Sequence, residues 1–200
     1  MRVISGKFKG KKLLAPADNR VRPTTDRIKE TLFNILASKG LCGEVAVLDL
    51  FGGSGALGIE AMSRGAIRTV FIDRDPTSAA LIKTNLAHVG AKPSDYEIYN
   101  VDYAFALKKL KDKRFDVIFA DPPYAAGLET VIADTIAKYN VLSESGVLVI
   151  EHSVGVVFES AAYEEDRRVC GNTVLSFLTP KTAAYPEEVE HNELRNSNGS

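Results

Sequence analysis

The feature that most constrains this chain is an alternation. Apolar runs of strand length, at 45–50, 69–73, 96–99, 115–120 and 146–151, are separated by stretches with helical spacing at 56–63, 76–89, 103–110 and 128–139. Buried parallel strands read as continuous apolar runs, and the helices that connect them cover both faces of the sheet. The pattern therefore predicts an α/β fold with a mostly parallel sheet. Pro76 sits where a helix begins, a position at which its missing N–H costs nothing. The end of the chain reads differently. Residues 167–170 and 173–178 are two strands joined by Gly171-Asn172, a tight-turn pair, so the sheet of about seven strands should finish in an antiparallel hairpin.

Ahead of the sheet, residues 2–14 read as a short basic hairpin around Lys9-Gly10. A helix capped by Thr24 or Thr25 should then run to about Ser38, with Ile28, Leu32, Ile35 and Leu36 as its apolar stripe. The expected organisation is one domain over 1–180, made of a basic N-terminal extension (1–40) and a Rossmann-like core (41–180). A polar, acidic tail (181–200) with little to bury is expected to be disordered. A total of 200 residues, 45% of them hydrophobic, suffices for one sizeable core. No apolar run reaches the roughly 20 residues that a membrane-spanning helix needs. The basic start lacks the apolar stretch of a signal peptide, so a cytoplasmic location is expected. Cys42 and Cys170 fit no metal-binding or CxxC spacing and read as small buried apolar residues.

The first chemical motif is DLFGGSGALG (49–58), a glycine-rich turn between a strand and a helix. Gly53, Gly55 and Gly58 satisfy GxGxxG, and Asp73 lies 20 residues after Gly53 at the end of the second strand, where a carboxylate can hold ribose hydroxyls. The spacing alone suits a dinucleotide equally well. There is no GxxxxGK[ST] lysine, which argues against nucleoside triphosphate hydrolysis. Asp49, Asp73, Asp102 and Asp121 each fall at the end of a predicted strand, which would gather them at the carboxyl edge of the sheet, where open α/β folds bind ligands. Taken singly, such aspartates are often local backbone caps.

The second motif is DPPY (121–124), directly after the fourth apolar run. Two prolines stiffen the turn and remove two backbone donors, so it presents acceptors. The Asp121 carboxylate and the Pro122 carbonyl can together accept from one NH2 group, while Tyr124 offers a face on which a base can stack. An exocyclic base amine needs such a grip, because its lone pair is delocalised until acceptors on both N–H bonds favour a more pyramidal nitrogen. Placed in line with a methyl sulfonium, that nitrogen can attack. A rigid turn with Tyr124 in the core is the plainer alternative.

Net charge is −1, yet residues 1–30 hold nine Lys and Arg against three acids. A basic end on a nearly neutral chain suits a polyanion. His88, His152 and His191 find no convincing partners; His88 reads as helix surface, His191 as tail and His152 as structural.

With these residues in hand, the chain resembles the class I S-adenosylmethionine-dependent methyltransferases that carry DPPY. More closely, it resembles the RsmD family, which methylates the exocyclic N2 of a guanine in 16S ribosomal RNA of the small subunit. The likeness covers 1–180 through RVISGKFKGKKL, RPTTDRIKETLFNIL (22–36), VLDLFGGSGALGIEA, FIDRD, DPPY and VLVIEHS. It implies S-adenosyl-L-methionine as cofactor, with Asp49, Gly52, Gly53 and Gly55 at its methionine end, Asp73 on its ribose and Asp102 on its adenine amine. It further implies that Asp121, Pro122 and Tyr124 hold a flipped guanine, and that Arg22, Thr24 and Arg27 close over the cofactor or shape the guanine pocket. Lys7, Lys9, Lys11, Lys12 and Arg20 would grip RNA phosphates. The enzyme would act as a single chain, with no metal, on rRNA in the subunit or in an assembly intermediate. Rival readings are a DNA adenine-N6 or cytosine-N4 amino methyltransferase, which generally needs a target-recognition region that this chain has little room for, an NAD-dependent dehydrogenase, and a non-catalytic RNA-binding module.

Overall fold

The computed structural model describes residues 1–16, 26–123, 128–156 and 160–181. The sequence alternation becomes α1 (Asp26–Ser38), β1 (Ala46–Leu50), α2 (Ala56–Ser63), β2 (Arg68–Ile72), α3 (Pro76–Val89), β3 (Tyr96–Tyr99), α4 (Tyr103–Lys109), β4 (Phe115–Ala120), α5 (Leu128–Lys138), β5 (Leu142–Ser153), β6 (Tyr163–Cys170) and β7 (Thr173–Pro180). The strands form one seven-stranded sheet in the order β3-β2-β1-β4-β5-β7-β6. β1 to β5 pair in parallel, while β5–β7 and β6–β7 are antiparallel.

Helices on both faces explain why the central strands are apolar throughout. On one face Leu48, Leu50, Ile118 and Ile150 pack with Leu107 of α4 and Ile132 and Ile136 of α5. On the other, Val47, Val117, Phe119 and Phe177 meet Leu32, Phe33 and Leu36 of α1. Phe71 on that same face anchors α2 and α3 through Ile59, Ile82 and Leu86. α3 has the ends its sequence announces: Asp75 accepts from Thr77 N–H, Pro76 follows, and Gly90 closes the helix at φ 76°.

The N-terminal hairpin forms with Arg2 bridging Lys12, and its Val3, Phe8 and Leu13 join the cluster beneath α2 and α3. Gly6 (φ 82°) lies so close to α2 that a Cβ there would stand 1.8 Å from the Ser63 carbonyl oxygen. Below it sits a buried ionic group. The Glu60 carboxylate accepts from Ile4 N–H (2.7 Å), Ser5 N–H (3.0 Å) and Arg64 Nε (2.9 Å), with Lys29 Nζ 3.8 Å away.

Three expectations are corrected. β5 starts at Leu142, because Ser143 bonds Asp116 (3.0 Å) and a shift of register carries the strand past Gly146 into its apolar run. β6 starts at Tyr163; its polar residues pair with β7 at the sheet's edge, where alternation is not imposed by burial on two faces. Cys42 and Cys170 are half-buried rather than buried. The Thr24 or Thr25 cap and the acidic tail from residue 182 lie outside the described residues. Among the described residues no helix is long and apolar enough to cross a membrane.

Candidate active site

Strand order reverses between β1 and β4, since the chain leaves β1 toward β2 on one side and leaves β4 toward β5 on the other. Such a switch point opens a crevice at the carboxyl edge. The pairs Asp49 with Phe119 and Leu50 with Ala120 set the two strands level, so the glycine turn and the Asp121–Pro123 turn leave the sheet side by side.

The glycine turn is tight and strained. Phe51 has φ 62°, uncommon for a bulky residue, and Gly53 and Gly55 follow at 56° and 78°. Gly52 N–H donates to the Ile72 carbonyl (2.9 Å) and Gly55 N–H to that of Gly52 (2.6 Å). Gly55 is the N-cap of α2 and supplies no side-chain cap, so of the first N–H groups of this helix only that of Gly58 finds a side-chain acceptor, Asp49, among the described residues. Gly58 allows α2 to sit on β2; a Cβ there would lie 2.3 Å from Phe71 Cε1.

Four of the predicted carboxylates converge. Asp49 is 3% exposed and accepts from Gly58 N–H (3.0 Å). Burial pushes its pKa up to about 8; the Gly58 bond opposes this, and the negative charges of Asp121 and Asp73 add to it. Asp121 keeps part of its surface at the crevice, but it is mostly surrounded by protein, and that burial lifts it to about 7, with Glu151 contributing repulsion. Asp73 accepts from Gly53 N–H and Asp75 N–H, both at 2.9 Å. Asp102 caps α4 by accepting from Ala104 N–H at 2.9 Å. Its local capping role is therefore real, and it also stands at the cleft.

That cleft, about 120 Å3, lies beside the glycine turn and is lined by Phe51, Asp73, Asp102, Tyr103, Pro123 and Leu128 among others. The Phe51 and Tyr103 rings are 5.2 Å apart and tilted by 44°. The sequence reading missed three residues here. Phe51 and Tyr103 gave no signal, because one-dimensional spacing does not reveal which aromatics line a cleft. Glu151 did, since it closes the fifth apolar run as the four aspartates close the others.

Pro122 is buried beside Asp121. Arg27 is exposed in the first turn of α1, next to Asp26, which pairs with Arg2 Nε at 2.9 Å. Tyr124, Arg20, Arg22 and Thr24 lie outside the described residues. Lys7 and Lys11 are not brought to the crevice, while Lys9 and Lys12 are exposed on the same hairpin. Lys7 N–H donates to Ser63 O (2.7 Å), Lys7 Nζ is 3.8 Å from Asp95, and Lys11 Nζ donates to Val89 O (2.8 Å). Ser63 and Val89 end α2 and α3, helices that begin at the crevice. Lys7 and Lys11 therefore stand toward the opposite, amino edge of the sheet, about 12 Å away by the length of α2 and about 20 Å away by the length of α3 respectively. His152 is buried, its Nε2 2.7 Å from Ser176 Oγ.

Residues 1–179 match the family described as Conserved hypothetical protein 95. The chain is 36% identical over 159 residues to ribosomal RNA small subunit methyltransferase D of Escherichia coli K12, covering 80% of this chain and 75% of that protein. It is 35% identical over 152 residues to the protein of the same name from Haemophilus influenzae, covering 76% and 78%. Among solved structures, a hypothetical protein of Thermus thermophilus superposes with TM-score 0.77 at 29% identity, covering 90% of this chain and 99% of that one. A precorrin-6y C5,15-methyltransferase from Geobacter metallireducens shares the fold at TM-score 0.63 and 17% identity, over 91% of this chain and 100% of that one.

Proposed function

This chain belongs to the Conserved hypothetical protein 95 family, which is the RsmD family, and from that membership we propose that it methylates the exocyclic N2 amine of a guanine in 16S rRNA. The observation that supports the reading best is the β1–β4 register, which sets the glycine turn beside the Asp121–Pro122 acceptors at the switch point.

The residues present fit S-adenosyl-L-methionine. The start of α2, whose N-cap Gly55 brings no side chain, is suited to the carboxylate of its methionine end, with Gly52, Gly53 and Gly55 leaving room for it and Asp49 beneath them suited to its cationic groups. Asp73 would take the ribose hydroxyls and Asp102 the adenine amine, with Phe51 and Tyr103 against the adenine ring. When bound, the cofactor supplies a methyl group on a positively charged sulfur. A cation there would relieve the repulsion that Asp121 and Asp73 exert on Asp49.

Asp121 and the Pro122 carbonyl would accept from the guanine amine and fix its direction, with Tyr124 against the base. Flipping that base out of its stack costs a few kcal/mol. Asp121, whose proton affinity is raised toward neutrality, is the group placed to take the proton that the nitrogen loses. Arg22, Thr24 and Arg27 would border this pocket, and Lys7, Lys9, Lys11, Lys12 and Arg20 would hold phosphates further along the RNA. Residues 1–180 would act as one catalytic unit in the cytoplasm, without a metal and as a single chain.

The deciding experiment maps methylated nucleotides in small-subunit rRNA from cells with and without this protein, then adds purified protein and labelled cofactor to the undermethylated RNA. Loss and restoration of one N2-methylguanine is expected. Labelling of DNA in place of rRNA, or of a base position other than guanine N2, would overturn the reading.

A further inference from the structure

The turn after α4 carries a second basic cluster on the side of the molecule away from the reaction crevice. Between 108 and 114 there are five cations, Lys108, Lys109, Lys111, Lys113 and Arg114, against one acid, Asp112, and all are exposed. The chain as a whole has a net charge of −1, so this is a local concentration and not part of a general excess. Lys108 and Lys109 lie in the last turn of α4, where cations favour the helix dipole. That accounts for two of the five. Lys111, Lys113 and Arg114 lie beyond the helix, on a turn pinned at several points. Lys113 N–H donates to Leu110 O (2.9 Å), Asp112 N–H to Tyr139 O (3.1 Å) and Phe115 N–H to Val141 O (2.9 Å), while the Arg114 guanidinium donates to Asn140 O.

One helical turn back, on the same side of α4 as Lys108 and Lys109, stands Phe105, 53% exposed, with Lys109 Nζ 5.6 Å from its ring centre. A phenylalanine of that exposure leaves about half of its surface out of the core. Set among lysines, it offers the combination that holds nucleic acid strands: cations for phosphates and an aromatic face for a base.

We propose that Phe105 through Arg114 form a second RNA-binding surface, which takes a segment of the rRNA other than the one that carries the target base. The proposal rests on the rRNA reading above. α4 starts at the crevice with Asp102 and ends at the amino edge, where β4 begins with Phe115. Six residues of β4 separate Arg114 from Asp121, about 20 Å of extended chain. An RNA fragment confined to the immediate surroundings of the target base cannot touch both places. A longer or folded substrate can, and Lys7 and Lys11 meet it at the same edge from the other face of the sheet.

The test uses the full chain in three forms: wild type, the quadruple variant Lys108→Gln, Lys109→Gln, Lys111→Gln, Lys113→Gln, and Phe105→Ala. Binding to whole 16S rRNA is measured against salt, together with binding to fragments trimmed around the nucleotide that the wild type methylates, and cofactor affinity is measured by calorimetry. The quadruple variant should bind 16S rRNA about tenfold or more weakly at 0.15 M salt and flatten the log–log salt slope by about two to four units. Phe105→Ala should weaken binding by about tenfold with an unchanged slope. Both should keep wild-type cofactor affinity and bind the shortest fragments as the wild type does. Wild-type affinity and slope of both variants on 16S rRNA would overturn the proposal, as would a loss confined to assembled subunits, which would mark a protein contact. Failure of the wild type to methylate any rRNA would sink the underlying reading instead, since the surface is judged on binding alone.

Discussion

Asp121, just past the end of β4, and Glu151 on the neighbouring parallel β5 stand one step beyond the Ala120–Ile150 pair of the β4–β5 register, and their negative charges oppose each other at the crevice. Burial is the larger cause of Asp121's raised pKa of about 7, and Glu151 adds to it. To take the proton that the amine loses, Asp121 must be ionised. kcat/KM for RNA should therefore rise about tenfold per pH unit below 7 and level off above it. Glu151→Gln removes the repulsion, so the midpoint should move to lower pH by up to about one unit with the plateau retained. A pH–rate profile of both proteins checks this; an unmoved midpoint would separate Glu151 from Asp121.

Asp49 gives a prediction about stability. Its folded pKa, about 8, lies above the ordinary carboxylate value, so the folded state holds a proton that the unfolded chain has released. The unfolded state then binds fewer protons between about pH 4 and pH 8, and stability must fall as pH rises through that window. Asp49→Asn keeps the carbonyl acceptor for Gly58 N–H and removes the charge. Without cofactor, the variant should be more stable than the wild type at pH 8 by about 1–3 kcal/mol, with the gap closing toward pH 4. Denaturant titrations at several pH values measure it.

Much of this arrangement was legible in one dimension because its causes are local. α3 occupies the predicted 76–89 because Pro76 and Gly90 act on their own backbone, and β1 and β4 follow from apolar runs. The gathering of Asp49, Asp73, Asp102 and Asp121 follows from their shared place at strand ends. What escaped depends on non-local pairing. Glu151 meets Asp121 only through the β4–β5 register, and β6 begins four residues early because β7 supplies its hydrogen bonds. Lys7 and Lys11 of the N-terminal hairpin are held away from the crevice, at the ends of α2 and α3, because Gly6 docks on Ser63, which no composition count reveals.

The Asp73 carboxylate accepts from the glycine turn through Gly53 N–H, so it both shapes that turn and stands in the cleft. Asp73→Ala should weaken cofactor binding by about tenfold or more while turnover at saturating cofactor stays within a few-fold, because the residue is remote from the amine acceptors. Calorimetry and steady-state kinetics divide the two effects. A loss of turnover with cofactor affinity intact would place Asp73 on the base instead.

Glu60 joins three pieces of the fold, and its removal would strand the fully buried Lys29. The carboxylate accepts from the backbone of the N-terminal hairpin, while Lys29 on α1 also donates to the Arg2 carbonyl. Glu60→Ala leaves a buried ammonium without its counter-charge and two backbone N–H groups without acceptors, a change that costs about 3–5 kcal/mol. Replacing Lys29 by Met at the same time removes the unpaired charge, so the double variant should recover part of that loss. Chemical denaturation of the two single variants and the double supplies the cycle. If the double were no more stable than Glu60→Ala, the ion pair would not be what holds α1 against α2.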